Sequence, residues 1–174
     1  MRRVAFLRGM NLGKRRLKNP ELCAAMNAAP GVSGATAFLA SGNVVFDTQK
    51  RSLRALQETI ERTLKKELAY EVPTFLRTMD EVATLADAAP FDPKVLAKGG
   101  KVQVMLLGAS PRRRAQTKVL EFSETFAFAP GALLWLPRGG VSDADLDLRA
   151  LEDLIGSYTM RTQRTLQRLV AKFA

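Results

Sequence analysis

Two short apolar runs on either side of the tripeptide Ser41-Gly42-Asn43 constrain the fold of this chain more than any other feature. Glycine accepts a positive φ freely and asparagine tolerates it, so the Gly42-Asn43 pair predicts a two-residue hairpin turn. The second run, residues 44–46, is β-branched and aromatic, as strands prefer. The sequence therefore predicts a β-hairpin over residues 35–47. Ser41 and Asn43 either only form its turn or present binding groups at its tip.

Patterns before and after this hairpin predict the element order β-α-β-β-α-β. Residues 4–7 form an apolar run without alternation, which is typical of a strand buried on both faces. The Asn-Pro pair at 19–20 predicts a helix start, with asparagine as N-cap and proline at the first helical position. Residues 51–68 carry an apolar stripe at helical spacing, and residues 72–77 predict a strand that Pro73 confines to a sheet edge or a strand start. This order is that of the ferredoxin-like motif.

The same order is predicted again in the second part of the chain. Residues 101–108 predict a strand, the Ser-Pro pair at 110–111 predicts a helix start, and two apolar runs flank a turn at 130–131. A capping-box pattern that begins at Ser142 predicts the second helix of this part. Residues 158–160 predict its last strand.

A closing amphipathic helix is predicted over residues 162–173. Its apolar side chains have i, i+3, i+4, i+7 spacing, and the basic side chains are expected on the opposite face. This face is interpreted either as the solvated side of a docked helix or as a stripe that follows phosphate groups. The basic residues concerned are Arg161, Arg164, Arg168 and Lys172.

We therefore expect an α+β fold of tandem ferredoxin-like halves with a C-terminal helix. The N-terminal half covers residues 1–78, and residues 101–174 form the C-terminal half with the terminal helix. Residues 79–100 form a helical linker, because Thr78 and Glu81 have the spacing of a capping box at its start.

The composition excludes several chemistries. The chain has no histidine and a single cysteine, which excludes Ser-His-Asp catalysis, Cys-His catalysis and a zinc cluster of Cys and His ligands. One cysteine cannot form an internal disulfide, which fits a reducing compartment. No apolar run approaches the roughly 20 residues of a membrane span, and the start of the chain lacks a signal-peptide pattern. We expect a cytoplasmic protein with no metal, no cofactor and no membrane partner.

Positive charge is concentrated near the start of the chain. The formal net charge is +10, and residues 1–20 hold seven basic side chains and no acidic one. Basic patches attract nucleic acid and phosphorylated ligands, although a solvated surface also explains the charge. Residues 9–15 resemble a phosphate-binding loop, but the loop is one residue short between its glycines, and Arg15 replaces the magnesium-binding Ser or Thr. Its backbone N–H groups and basic side chains could still hold an anion.

Three segments carry a resemblance to a known family: residues 6–13, residues 40–46, and residues 159–161 ahead of Thr165 and the closing helix. They resemble the bacterial "domain of unknown function 1697" family. Its members have Leu-Leu-Arg-Gly-Ile-Asn-Val-Gly near the start, Ser-Gly-Asn-Val-Val-Phe in the hairpin and Thr-Thr-Arg-Asn-Trp-Asn-Thr near the end. The resemblance covers essentially the whole chain and implies tandem ferredoxin-like halves with a C-terminal helix, but no known activity. The chain departs from the family at residues 162–164, where Thr-Gln-Arg replaces Asn-Trp-Asn.

The leading hypothesis is a non-catalytic protein that binds an anionic partner, either nucleic acid or a phosphorylated small molecule. One alternative is an enzyme that acts on a phosphorylated or carboxylated metabolite in a cleft between the halves, with Arg8 and Arg161 as anion clamps. Another is a protein-interaction scaffold with an exposed apolar patch. The sequence assigns no catalytic residue, no metal ligand and no oligomeric state. The predicted ligand-binding residues are Arg8, Gly9, Asn11, Lys14, Arg15, Arg16, Ser41, Gly42, Asn43 and Arg161.

Overall fold

The computed structural model describes residues 1–10 and 17–174. Within these residues the chain has an α+β fold with two four-stranded antiparallel sheets and seven α-helices. It divides into two compact units, of which the first comprises Met1–Val82 and Phe173–Ala174 and the second comprises Ala83–Lys172. No helix in the described ranges is long and apolar enough to cross a membrane.

The first unit contains the predicted series β-α-β-β-α-β. Its elements are β1 (Arg2–Leu7), α1 (Asn19–Asn27), β2 (Ser33–Phe38), β3 (Asn43–Asp47), α2 (Leu53–Leu68) and β4 (Thr74–Thr78). The strand order across its sheet is β2-β3-β1-β4. Strand β1 is therefore central, and both its neighbours, β3 and β4, run antiparallel to it.

The core of this unit follows from two periodicities in the sequence. Leu56, Ile60 and Leu64 recur at helical spacing on α2 and are buried against Ala5 and Leu7, which alternate along β1. Val4 and Phe6, which point to the other face of the sheet, are also buried. The prediction of a strand buried on both faces is confirmed.

The second unit repeats the series after two further helices, α3 (Met79–Asp87) and α4 (Pro93–Leu96). Helix α4 is not predicted by the sequence analysis, since four residues are too few for a helical period to be recognised. The remaining elements are β5 (Gln103–Leu107), α5 (Arg113–Leu120), β6 (Thr125–Ala129), β7 (Ala132–Leu136), α6 (Leu148–Ile155), β8 (Tyr158–Thr162) and α7 (Gln163–Phe173). The strand order is β6-β7-β5-β8, so β5 takes the central place that β1 has in the first sheet.

Several predicted starts and stops are confirmed. The backbone N–H of Thr78 donates to a carboxylate oxygen of Glu81 (2.7 Å), and the N–H of Glu81 donates to the Thr78 hydroxyl (3.0 Å), which completes the capping box. Strand β4 begins just after Pro73 and lies at an edge of its sheet. Residues 130–131 form a two-residue turn, with φ +69° at Gly131.

The two-residue turn predicted at Gly42-Asn43 is wrong. Phe38 pairs with Asn43 across β2 and β3, so the connection is the four-residue loop 39–42. The positive φ values fall at Leu39 (+58°) and Gly42 (+71°). Asn43 stays in the strand because its side-chain amide donates to the Phe38 carbonyl (2.9 Å).

Two helices begin one or two residues away from their predicted starts. Lys18, rather than Asn19, is the N-cap of α1, and α5 begins at Arg113 rather than directly after the Ser-Pro pair at 110–111. Pro20 lies in the first turn of α1, where its missing N–H would have no intrahelical partner, whereas Pro111 lies before the N-cap of α5. A proline therefore fixes a helix start only approximately.

The predicted N-cap of α6 at Ser142 is also wrong. Residues Val141–Asp143 form a single 3-10 turn, and α6 is capped instead by Asp147. The Asp147 carboxylate accepts hydrogen bonds from the backbone N–H groups of Arg149 (2.9 Å) and Ala150 (3.0 Å). It therefore satisfies two backbone donors of the first turn, which no group within that helix can do.

Replacing Asp147 with alanine should lower the free energy of unfolding by about 1 kcal/mol, because both N–H groups lose their acceptor. Urea denaturation followed by circular dichroism measures this loss. The matched control is Ser142→Ala, which should change the stability by less than about 0.5 kcal/mol. An equal loss in the two variants would contradict the assignment of the cap to Asp147.

Candidate anion-binding site

The end of β1 lies between the hairpin loop 39–42 and the start of β4. The N–H of Leu7 donates to the carbonyl of Gly42 (2.8 Å), and the N–H of Arg8 donates to the carbonyl of Pro73 (2.9 Å). These two bonds fix the backbone from which the half-buried Arg8 side chain projects. The chain then turns at Gly9, where φ is +75°.

Gly42 packs directly against the segment that follows β1. A Cβ atom on Gly42 would lie 2.8 Å from Cγ of Met10 and 3.1 Å from the carbonyl oxygen of Leu7. Met10 is itself buried in the core of the first unit. The hairpin loop and residues 7–10 can therefore approach this closely only with glycine at position 42.

Asn43 and Ser41 bond to each other within the hairpin. Asn43 is fully buried, and its side-chain amide nitrogen donates to the Phe38 carbonyl (2.9 Å) and to the Ser41 hydroxyl (2.8 Å). Both amide hydrogens therefore bond within the hairpin, which favours the interpretation that Asn43 stabilises the hairpin rather than binding a ligand. Ser41 is exposed, and a hydroxyl that accepts one hydrogen bond can still donate another.

Four of the predicted site residues lie outside the described residues. They belong to the segment between Met10 and Leu17. Their part in a site stays a prediction. They are Asn11, Lys14, Arg15 and Arg16.

The second unit holds the end of its central strand in the same way. The N–H of Leu107 donates to the carbonyl of Gly131 (3.0 Å), and the N–H of Gly108 donates to the carbonyl of Ser157 (3.0 Å). Gly108 therefore occupies the position that Arg8 has in the first unit. The hairpin turn at this end has two residues, whereas the first unit has four.

Arg161 lies in the second unit, on β8 rather than on the basic face of α7, so that part of the sequence prediction is wrong. It pairs with Val104 on the central strand, and its side chain is folded back onto its own strand. Its Nη1 donates to the Thr159 hydroxyl (2.9 Å) and to the Met160 carbonyl (2.7 Å). Only 9% of the residue is exposed, and burial lowers the pKa of Arg161 to about 10. The guanidinium therefore remains charged at neutral pH.

Arg77 has the equivalent place in the first unit, since it pairs with Val4 as Arg161 pairs with Val104. Its Nη1 donates to the Leu76 carbonyl (2.8 Å). Burial lowers the pKa of Arg77, and the charge of Glu81 opposes that shift. The sequence analysis missed this residue, although an Arg-Thr pair ends both β4 and β8 and could have indicated it.

The groups at the end of the first sheet suit the binding of an anion. Backbone bonds join the segments that carry Arg8, the exposed Ser41 hydroxyl and the turn at Gly9, and guanidinium, hydroxyl and backbone N–H groups are donor types that bind negatively charged oxygen atoms. In the part of the chain that the structure describes, no group of three or more His, Cys, Asp or Glu residues is placed to hold a metal ion.

Comparison with known proteins identifies the family. The model of the family described as "Protein of unknown function (DUF1697)" matches residues 1–132. The chain belongs to this family. The solved structure of conserved bacterial protein SP0830 from Streptococcus pneumoniae is similar, with a TM-score of 0.76 and 16% sequence identity over 98% of this chain and 97% of that chain. A likeness at this identity concerns the fold alone. No curated protein matches the chain.

Two of the segments that resemble DUF1697 sequences meet at one end of the first sheet. They are residues 6–13, of which 6–10 are described, and residues 40–46, and they are joined by the bond from Leu7 to Gly42. The two segments are far apart in the sequence, so the prediction that they lie close together depends on β1 being next to β3 in the sheet. That condition is confirmed.

Gln163, one of the three residues at which the chain departs from the DUF1697 pattern, makes hydrogen bonds to the end of α3. The side-chain amide of Gln163 donates to the carbonyls of Leu85 (3.1 Å) and Ala88 (2.6 Å) at the end of α3. The Gln167 amide donates to the Ala86 carbonyl beside them (3.2 Å). In this chain Gln163 therefore satisfies carbonyl groups that a helix C-terminus leaves without intrahelical partners.

Proposed function

We propose that this protein binds a phosphate-bearing partner, nucleic acid or a phosphorylated small molecule, at the end of the first sheet. The supporting observation is the difference between two units that hold their central strands by equivalent backbone bonds. The connection to the next helix spans residues 108–112 in the second unit and residues 8–18 in the first. The second unit thus demonstrates that a short connection is sufficient for the fold.

The added length in the first unit is basic. Residues 8–18 contain five cationic side chains and no acidic one, whereas Arg112 is the only charged side chain in residues 108–112. Adjacent cations repel one another, and a partner that carries several phosphate groups would relieve that repulsion. The five are Arg8, Lys14, Arg15, Arg16 and Lys18.

Nucleic acid is the first partner to test, because several neighbouring cations match a chain of phosphates. Such contacts would give affinity with little sequence preference, since phosphates carry no base information. A phosphorylated small molecule is the other form of the proposal. The enzyme and scaffold hypotheses stay predictions.

The chain contains a matched pair of basic triplets for the test. We compare a triple variant, Lys14→Glu, Arg15→Glu and Arg16→Glu, with a second one, Arg112→Glu, Arg113→Glu and Arg114→Glu. Each replaces three positive charges by three negative ones, and the second triplet is exposed at the start of α5. Fluorescence anisotropy with labelled RNA and DNA oligomers at low salt should give at least about tenfold weaker binding for the first variant.

The affinity of the second variant for the oligomers should fall by no more than about threefold, because only the net charge of the protein has changed. Equal losses in both variants would place the binding outside residues 14–16 and contradict the proposal. If the oligomers fail to bind but pyrophosphate shifts the amide signal of Gly9 and the first variant abolishes that shift, the small-molecule form of the proposal holds.

We also propose that each unit is a ferredoxin-like half. The order β-α-β-β-α-β and the equivalent strand orders β2-β3-β1-β4 and β6-β7-β5-β8 support this assignment. The boundaries at residues 1–78, 79–100 and 101–174 stay a prediction, as does a cytoplasmic location.

A further inference from the structure

A basic groove in the second unit has no part in the function proposed above. It lies between α4 and the end of β7 and has a volume of about 260 Å³. Three of its lining side chains are cationic, and none of the described residues that line it is acidic. The three cations are Lys94, Lys98 and Arg138.

Two glycines allow the backbone to close this groove on one side. A Cβ on Gly99 would lie 2.7 Å from Cδ1 of Leu136, and a Cβ on Gly100 would overlap the carbonyl oxygen of Gly139. The N–H of Gly100 also donates to the carbonyl of Pro137 (2.7 Å). Residues 98–100 are therefore fixed against the segment that follows β7.

This close approach places like charges in one groove. Lys98 directly precedes Gly99, and Arg138 directly follows Pro137, so the glycine contacts hold their backbones together. Lys94 lies on α4 and Lys98 lies two residues after its end, and both line the groove, where like charges repel. An anion in the groove would convert this repulsion into attraction.

One of the cations is already oriented. The Nη2 of Arg138 donates to the Ser123 carbonyl (3.0 Å), which restrains the guanidinium and leaves its other N–H groups for a ligand. Thr125 adds a hydroxyl to the lining. A guanidinium, two ammonium groups and a hydroxyl are the donors that phosphate oxygens take.

We propose that this groove is a second anion site, which binds a phosphate or pyrophosphate group. The volume lies slightly below the roughly 300–1,000 Å³ of pockets for drug-sized ligands, so a small anionic group fits better than a whole nucleotide. The phosphate comes either from a small molecule or from the backbone of a nucleic acid.

The test is a nuclear magnetic resonance titration of the 15N-labelled protein with inorganic pyrophosphate at constant ionic strength. The amide signals of Gly99 and Gly100 should shift and saturate. Arg138→Gln should weaken binding about tenfold, since it removes a charge-assisted donor. The affinity of Arg138→Lys should lie between those of the wild-type protein and Arg138→Gln, because lysine keeps the charge but lacks the planar guanidinium group.

The matched control is Lys118→Gln, which removes an equal charge from an exposed position on α5 outside the groove. It should leave the affinity unchanged. Shifts that do not saturate, shifts that sodium chloride reproduces, or an equal loss in Lys118→Gln would overturn the proposal.

Two further experiments distinguish a nucleic acid from a small molecule as the source of phosphate, and distinguish this groove from the site in the first unit. An oligonucleotide that shifts the same amides and is displaced by pyrophosphate supports a nucleic acid source, and a response to pyrophosphate alone supports a small ligand. The Lys14, Arg15 and Arg16 triple variant should give an unchanged pyrophosphate titration at Gly99. Failure at one site is therefore distinguishable from failure at the other.

Discussion

Replacing Trp135 with alanine should lower the free energy of unfolding by about 4 kcal/mol. Trp135 is fully buried on β7, and it belongs to the core of the second unit. Its indole N–H donates to a carboxylate oxygen of Glu124 (3.0 Å), and its ring lies 6.3 Å from that of Phe126. Alanine would leave a large cavity and remove the hydrogen bond, and a close-packed interior can only partly collapse into such a space.

The matched control is Trp135→Phe, which keeps an aromatic ring and removes the N–H donor. It should cost about 1–2 kcal/mol, because the Glu124 carboxylate loses this partner and the ring is smaller. Urea denaturation followed by far-ultraviolet circular dichroism suits both variants, since Trp135 is the only tryptophan and its fluorescence disappears. A loss below about 1 kcal/mol for the alanine variant would contradict the place of this indole in the core.

Replacing Gly42 with alanine should cost about 3 kcal/mol. Two effects add: φ is +71°, which costs an L-residue roughly 1–2 kcal/mol, and the new Cβ would approach Met10 and the Leu7 carbonyl oxygen too closely. The oxygen belongs to the backbone of the central strand, so it cannot move without disturbing β1. Thermal and urea denaturation measure the loss.

Gly34 provides the control, because its φ is also positive (+62°) but its surroundings are open. The nearest atom to a Cβ there would be an Asp47 carboxylate oxygen at 3.9 Å, so Gly34→Ala should cost only the backbone component, about 1 kcal/mol. A similar loss in the two variants would show that the contact between Gly42 and residues 7–10 does not constrain this end of the sheet.

The sequence predicts best those elements whose pattern is repeated along one segment. The stripe of Leu56, Ile60 and Leu64 repeats every three to four residues, and residues 4–7 form an unbroken apolar run, so α2 and β1 are both predicted correctly. The capping box of Thr78 and Glu81 succeeds for a similar reason, because both partners lie within one helical turn.

Features that depend on competition between neighbouring groups are predicted less well. Ser142 and Asp147 are both favourable N-cap residues. Asp147 caps the helix, and its carboxylate accepts hydrogen bonds from two backbone N–H groups of the first turn. Likewise, Gly42-Asn43 has the composition of a tight turn, but the bond from the Asn43 amide to Phe38 keeps asparagine in the strand.

Features that depend on long-range pairing are not visible in the sequence at all. The bond from Arg8 to Pro73 joins positions far apart in the chain, and no local pattern records it. The same holds for the groove in the second unit, whose cations Lys94 and Arg138 come from separate segments.

The most direct test of the account is the salt dependence of oligonucleotide binding by the wild-type protein. If the basic segment of residues 8–18 contacts phosphates, anisotropy should show binding at low salt that weakens steeply as salt is added. Three cations of this segment on a single-stranded oligomer predict a slope of roughly −2 or steeper in a plot of log K against log salt, at about −0.7 for each phosphate contacted. The Lys14, Arg15 and Arg16 triple variant should reduce that slope by about 2. Absence of oligomer binding at low salt together with no pyrophosphate-dependent shift of the Gly9 amide signal, or oligomer binding that salt does not weaken, would contradict the proposed function.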